Sequence, residues 1–326
     1  MLASAEAEDP SSNTKSDILK KGFVMIIDLH THITFEKFPE FSTGMGLKPF
    51  KAKTLLFRMD MEGIDKSVVL PLANPENVDV VGVAGNQDVL AACKRHPGRL
   101  IPFCNIDPRA MYNSPKSDLG RLMKIYKDLG CKGIGEVCAN LPITHPLYKN
   151  LFRHAGTQEL PVLFHLTGQD CGVYGVIDKF HLPGLEESLR EFPDTIFIGH
   201  AMAFWSEIDS GLRRKDRDIY PKGALKGKGR LWELLDKYPN LYGDLSAGSG
   251  FNAISRDPEM GCKFLQQFHR KLFFGTDRFT SRDQPVPPIL LHLKDASRSG
   301  KITKAAYEDI MHRNFERVIL GRRARR

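Results

Sequence analysis

Short apolar runs ending in a polar side chain recur along this chain, separated by stretches with helical spacing. The first runs from Val24 into Asp28-Leu-His30-Thr-His32. Later ones read Gly133-Ile-Gly-Glu136, Pro161-Val-Leu-Phe-His165, Ile196-Phe-Ile-Gly-His200 and Leu272-Phe-Phe-Gly-Thr-Asp277. A brief, nearly continuous apolar run is what a parallel strand covered on both faces requires. The pattern predicts strands at 24 to 32, 66 to 72, 100 to 106, 131 to 137, 161 to 167, 195 to 201, 241 to 246 and 272 to 277. Between them, apolar residues at 119, 122, 125 and 129 match one face of a helix, and Leu231-Trp-Glu-Leu-Leu-Asp-Lys-Tyr238 has similar spacing. Eight βα units predict an α/β protein, a TIM-type (β/α)8 barrel with long βα loops over its C-terminal face, where such barrels carry their reactive groups.

Composition fits that picture. The chain has 326 residues, 41% hydrophobic and 26% charged, with no central Pro/Ser/Gly linker and no evident internal repeat. Residues 1 to 22 read as a flexible extension, 23 to 321 as a single barrel domain and 322 to 326 as a basic tail. The formal charge of +8 concentrates in Arg213-Arg214-Lys215, in Lys222 through Arg230 and in the terminal arginines. Solvated loops explain the first two clusters better than attraction of an anionic substrate does. The six cysteines form no C-x-x-C pair, and Cys104, Cys131 and Cys138 fall on or beside core strands, which favours reduced thiols. No run reaches the roughly 20 apolar residues of a spanning helix. The acidic start Ala5-Glu-Ala-Glu-Asp9 lacks the order of a signal peptide, so a cytoplasmic location is expected.

The strand-ending residues are the chemically informative ones. A strand sends alternate residues to one side, so Asp28, His30 and His32 can project together. Neutral imidazoles and carboxylates suit a borderline divalent ion such as zinc, and an open coordination position retains water whose pKa falls to about 7. Alone, His165 or His200 would more often be a hydrogen-bonded core histidine than a ligand; the ordered set reverses that weighting. Asp28 fits either a turn cap or a residue that orients a ligand. Asp244 and Ser246, at the end of the seventh strand, precede a small-residue loop able to reach a substrate. Arg278 could pair with a substrate carboxylate or phosphate, or with another loop. The insertions at 33 to 50 and 203 to 230 supply Phe35, Phe38, Phe41, Phe50, Phe204 and Trp205 as a candidate aromatic wall. The other seven histidines, at 96, 145, 154, 181, 269, 292 and 312, need only surface or capping roles.

Asp28-Leu-His30-Thr-His32, Gly135-Glu136, His165, Gly199-His200 and Gly275-Thr-Asp277, each after its own strand, resemble the amidohydrolase superfamily, and within it the amidohydrolase-2 branch of metal-dependent hydrolases and decarboxylases. The stretch Ile310 through Gly321 is similar to that branch's closing helix. The resemblance implies that His30 and His32 hold a buried metal while Asp277 ligates it and takes the proton of its water. With two ions, His165 and His200 would hold the second and Glu136 would bridge; with one, His165 would complete the ligands of that ion and His200 would serve as acid, base or electrophile. Many relatives bridge through a carboxylated lysine, but Lys132 lies toward the wrong end of its strand. Gly133-Ile-Gly-Glu136 is instead similar to the strand-4 motif of the TatD-like deoxyribonucleases.

The leading expectation is hydrolysis of a small amide, ester, lactone or related carbonyl compound, with one or two divalent ions, zinc foremost. The first alternative is decarboxylation of an aromatic or unsaturated carboxylate; the second is metal-dependent cleavage of DNA, which the basic balance supports only weakly. A metal-free binding protein would require lost ligands, and none is lost. The expected partner is a small molecule, an anionic one included, with no membrane, and homo-oligomerisation stays open.

Overall fold

A computed structural model describes residues 24–35, 48–77, 81–169, 173–280 and 286–321. The extension at 1 to 22, the tail at 322 to 326, Phe38 and Phe41 lie outside the described residues. The barrel strands are β1 (Ile27–Thr31), β2 (Lys66–Val69), β3 (Leu100–Pro102), β4 (Ile134–Val137), β5 (Val162–Thr167), β7 (Phe197–His200), β8 (Leu241–Asp244) and β9 (Leu272–Phe273). A two-residue strand, β6 (Val176–Ile177), pairs with β5 outside this ring. Every ladder is parallel, in the orders β1-β2-β3 and β4-β5-β7-β8-β9. Two parallel bridges, Cys104 with Ile134 and Thr31 with Arg278, close these arcs into one barrel. The backbone N–H of Leu29 donating to Phe274 at 2.9 Å belongs to the second seam. All eight barrel strands fall within the expected segments.

Helices cover the ring from outside. Those used below are α1 (Ala52–Glu62), α2 (Asn86–Arg95), α3 (Leu119–Asp128), α4 (Pro146–Thr157), α5 (Pro183–Glu191), α6 (Met202–Trp205) and α7 (Arg230–Lys237). Asp118 starts α3 by accepting from the Arg121 N–H at 3.0 Å. Its buried face differs from the expected one: Leu119 and Met123 are buried, with Leu122 and Tyr126 partly so, whereas Ile125 and Leu129 are exposed. At about 100° per residue, position 125 sits roughly 120° around from Leu119, so the stripe runs through 122, 123 and 126 instead. In α7, Leu231, Trp232, Leu234 and Leu235 are buried as the pattern requires. The C-terminal closing segment follows Lys304–Glu308 as π-helical turns at Asp309–Arg313 and Phe315–Ile319. Among the described residues, no helix is long and apolar enough to cross a membrane.

The barrel interior explains where the polar residues stand. Ile27, Leu29, Val68, Leu70, Phe103, Leu163, Ile198 and Phe273 form one buried cluster with Phe315 and Ile319 of the C-terminal turns. Period-two alternation then carries the same face from Leu163 to His165 and from Ile198 to His200, toward the C-terminal strand ends. The β1 ladder is less regular, with a register shift between Asp28 and Thr31. Two insertion aromatics expected at the mouth are core residues instead. Phe204 and Trp205 in α6 are fully buried, Phe204 filling the space that the missing side chain of Gly199 leaves. The indole N–H of Trp205 donates to the Asp244 carbonyl at 2.7 Å.

Candidate metal centre

Two buried imidazoles face each other at the end of β1. His30 Nε2 and His32 Nε2 are 3.0 Å apart. Their other nitrogens are engaged, His30 Nδ1 with Asp244 Oδ2 at 2.6 Å and His32 Nδ1 with the Leu70 carbonyl at 2.8 Å. A carbonyl only accepts, so His32 Nδ1 carries a proton, and whenever the ring is neutral its Nε2 lone pair faces the centre. Asp277 Oδ1 lies 3.3 Å from His30 Nε2 and 3.4 Å from His32 Nε2. Glu136 Oε2 lies 3.6 and 3.4 Å from the same two atoms. Ligands held about 2.0–2.1 Å from an ion stand roughly 2.8–3.4 Å apart at octahedral to tetrahedral angles, so this donor set fits a divalent cation.

Electrostatics agree with the geometry. Burial disfavours charge on both rings, yet the carboxylates outweigh it. Asp277 and Asp244 hold His30 well above the ordinary imidazole range, and hydrogen bonds to Asp277 and Glu136 raise His32 to about 9. Burial likewise opposes ionisation of Glu136, Asp277 and Asp244, but the surrounding histidines keep all three carboxyls below their usual range. So much negative charge in a dry place needs a partner cation, which protonated imidazoles or a divalent ion can equally provide.

The remaining expected residues are distributed unevenly. His200 is buried at the end of β7; its Nδ1 lies 3.0 Å from Ser246 Oγ and 3.2 Å from Asp244 Oδ2, while its Nε2 is 3.8 Å from Glu136 Oε1. His165 Nδ1 bonds Glu136 Oε1 at 2.6 Å. The two rings stand 5.4 Å apart but join different groups: His200 gathers with His30 and Asp277, and His165 with Glu136 and Cys138. Lys132 is exposed and lies two residues before β4. Asp28 does not join the ligands. It accepts from the His30 and Thr276 backbone N–H groups at 3.0 Å and from the Thr276 hydroxyl at 2.6 Å, tying the end of β1 to the segment after β9. Burial pushes its carboxyl up to about 7.

Three residues expected to reach a substrate are buried among protein groups. Asp244 and Ser246 are wholly buried, and Ser246 Oγ donates to Asp244 Oδ2 at 2.7 Å, so the pair lies behind His30 and His200 and sets their orientation. Arg278 is buried against α1, with Nη2 2.6 Å from Glu62 Oε1. Gly275 belongs to the same packing: a Cβ there would come 2.5 Å from Asp244 Oδ1 and 3.2 Å from that of His30. Much of the basic loop is also spoken for internally, Arg213 by Asp216 at 2.5 Å and Arg217 by the Asp178 carbonyl at 2.6 Å.

Sequence reasoning missed several contributors. Asn105 donates to the Glu136 carbonyl, and Asn74 accepts from the Cys138 N–H at 2.8 Å, fixing the end of β4. Tyr174 lies over His165 with ring centroids 4.7 Å apart, and Phe279 meets His32 edge-on at 6.1 Å. Asn74 and Asn105 stand just beyond β2 and β3, and a buried amide at a strand end was the available signal. Nothing in the loop sequences marks Tyr174 or Phe279.

The amidohydrolase model of the amidohydrolase-2 branch matches residues 27–319. The chain belongs to the amidohydrolase family. No curated protein matches it in sequence. Solved structures with the same fold include an uncharacterized TIM-barrel protein from Bordetella bronchiseptica, with 17% identity and TM-score 0.61, matched over 92% of this chain and 100% of that one. A probable 2-pyrone-4,6-dicarboxylic acid hydrolase from Acinetobacter baumannii has 12% identity and TM-score 0.56, over 90% and 98%. A 5-carboxyvanillate decarboxylase from Novosphingobium aromaticivorans, complexed with manganese and a nitrobenzoic acid, has 16% identity and TM-score 0.55, over 91% and 96%. This amidohydrolase therefore shares its barrel with hydrolases and decarboxylases alike.

Proposed function

We propose that this amidohydrolase is a metal-dependent hydrolase of a small amide, ester, lactone or related carbonyl compound, with His30, His32, Glu136 and Asp277 as the residues that would hold the ion. A divalent ion in that position supplies Lewis acidity and water acidified enough to react at neutral pH. The observation carrying the reading is the difference between Asp277 and its neighbours. Its side chain is 28% exposed, while those of His30, His32 and Glu136 are 5% exposed or less. It is thus the carboxylate that an incoming molecule meets, placed to accept a proton at its oxygen and return it to a leaving group. Asp277 also has φ 57, a left-handed conformation unusual for a residue other than glycine, which is tolerated where surrounding structure imposes it at functional sites. His200, with Nδ1 fixed by Ser246 and Asp244, holds Nε2 toward the centre as a second proton-transfer group.

Decarboxylation of an aromatic acid is the second reading, favoured by the Tyr174 and Phe279 rings beside the centre. It is weakened by Arg278, whose guanidinium Glu62 already engages. The test is an assay of chelated and metal-reconstituted enzyme against lactones, esters, amides and aromatic carboxylates, following product acid and carbon dioxide separately. Metal-dependent acid release without carbon dioxide supports hydrolysis; metal-dependent carbon dioxide release replaces it with the second reading.

A further inference from the structure

The seam between β3 and β4 stops short of the metal centre. Its last backbone bond among the described residues runs from the Gly135 N–H to the Cys104 carbonyl at 2.8 Å. Beyond it, side chains supply the partners that a neighbouring strand would have given. The Asn105 amide donates to the Glu136 carbonyl, Asn74 Oδ1 accepts from the Cys138 N–H at 2.8 Å, and Glu76 Oε1 accepts from the Asn140 N–H at 3.0 Å. All three come from the segments after β2 and β3, and the backbone they hold carries Glu136.

One cation gathers these segments. Arg109 donates from Nε to Asp107 Oδ1 at 2.8 Å, and from Nη2 to Asp107 Oδ2 at 2.7 Å and Glu76 Oε2 at 2.8 Å. Asp107 Oδ2 also accepts from Asn74 Nδ2 at 2.7 Å. A carboxylate only accepts, so Asp107 draws the nitrogen of that amide and leaves the oxygen for the Cys138 N–H and, at 3.2 Å, for the Asn105 amide. Burial opposes ionisation of Glu76 and Asp107, yet Arg109 keeps both carboxyls below their usual range. Without that guanidinium, two carboxylates would face each other across the gap between the segments. The plain alternative is a clasp that merely joins two loops. The bonds do not end there, however, but run on through Asn74 and Asn105 to the backbone of Glu136.

We propose that Arg109 is a positioning residue for Glu136: by fixing Asp107 and Glu76 it orients Asn74 and Asn105, and through them sets where the Glu136 carboxylate stands beside His30 and His32. This role rests on the reading of Glu136 as a residue that would hold the ion. Arg109 acts through the backbone and needs no contact with the ion itself.

The test is a double-mutant cycle on zinc affinity, read by competition with a chromogenic chelator, for the full chain, Arg109→Ala, Glu136→Gln and the double variant. Arg109→Ala is expected to weaken binding about tenfold, the lower end of what loss of a partner behind a ligand costs. Once Glu136→Gln is in place, the same change should weaken it by less than about twofold. An equal loss in both backgrounds, or no loss in the first, overturns the proposal and leaves the metal reading intact. Failure of the parent to bind zinc overturns the metal reading, and the role of Arg109 with it. Amide hydrogen exchange of the metal-free proteins decides where Glu136→Gln binds too weakly for comparison. In Arg109→Ala the Cys138 and Asn140 amides should exchange at least about tenfold faster while those of β8 keep their protection. Unchanged protection, or acceleration spread evenly over the barrel, overturns the proposal. Should Arg109→Ala not fold, Arg109→Lys, which keeps the charge but loses the two-pronged grip on Asp107, is read in the same way.

Discussion

At the scale of single residues, the centre depends on groups behind the ligands as much as on the ligands themselves. Asp244 and Ser246 hold His30 and His200 by their Nδ1 atoms. Removing such a partner costs about 10–100-fold in metal affinity or activity. Asp244→Ala is therefore expected to weaken metal binding by that order, measured by competition with a chromogenic chelator; unchanged affinity would reduce Asp244 to a packing residue. Asp277→Asn should abolish turnover while leaving the circular dichroism spectrum and melting temperature close to the parent's. Global unfolding of that variant would instead assign Asp277 a structural role. The residues that bear chemistry were legible because each ends an apolar run, where a polar group has few innocent reasons to be. Their division of labour was not. Asp244, Ser246 and Arg278 carry side chains equally suited to a substrate or to a neighbour, and only the packing of β8 behind β1, and of α1 against the segment after β9, decides between these.

Elements are joined by polar contacts of unequal worth. The buried pair of Arg278 and Glu62 couples α1 to the segment after β9. Breaking a buried pair from one side strands the other charge and costs about 3–5 kcal/mol. Arg278→Ala should accordingly lower stability by about that amount in chemical denaturation, and a loss below 1 kcal/mol would show that Glu62 finds another partner. On the surface, Glu186 of α5 accepts from Lys237 of α7 at 2.8 Å and from Tyr238 at 2.9 Å, and also pairs with Arg230. Lys237 chiefly lowers the Glu186 carboxyl, to about 2. A depressed carboxyl stabilises the fold above its unfolded pKa, near 4.3, and loses that contribution as pH falls toward 2. Glu186→Gln is thus expected to lose a small part of its stability at neutral pH and to show a shallower decline between about pH 4.3 and 2. An acid limb identical to the parent's would contradict the pairing. Strand positions were readable from apolar runs of this kind, whereas the buried face of α3 was not. Its apolar residues number more than one face holds, and the choice of Met123 and Tyr126 over Ile125 and Leu129 is made by what lies beneath.

For the whole molecule, the barrel brings together six residues spread from His30 to Asp277, so that metal binding and folding are linked. An ion that binds the native state alone stabilises it by RT ln(1 + [L]/Kd), about 2.7 kcal/mol at one hundred times Kd. Chelation should therefore lower the melting temperature by about 5 °C, and restoring the preferred ion should return it. Architecture was legible from the alternation of eight strands with helices together with polar residues at the C-terminal strand ends, the arrangement a (β/α)8 barrel uses. The substrate was not, since the mouth is made of loop residues such as Tyr174 and Phe279 that carry no periodic signal. The most direct measurement is anomalous diffraction from metal-replete crystals, recorded at the absorption edge of the bound ion. The account predicts a peak within bonding distance of His30 Nε2, His32 Nε2 and Asp277; no peak among those atoms, in protein shown to contain metal, would contradict it.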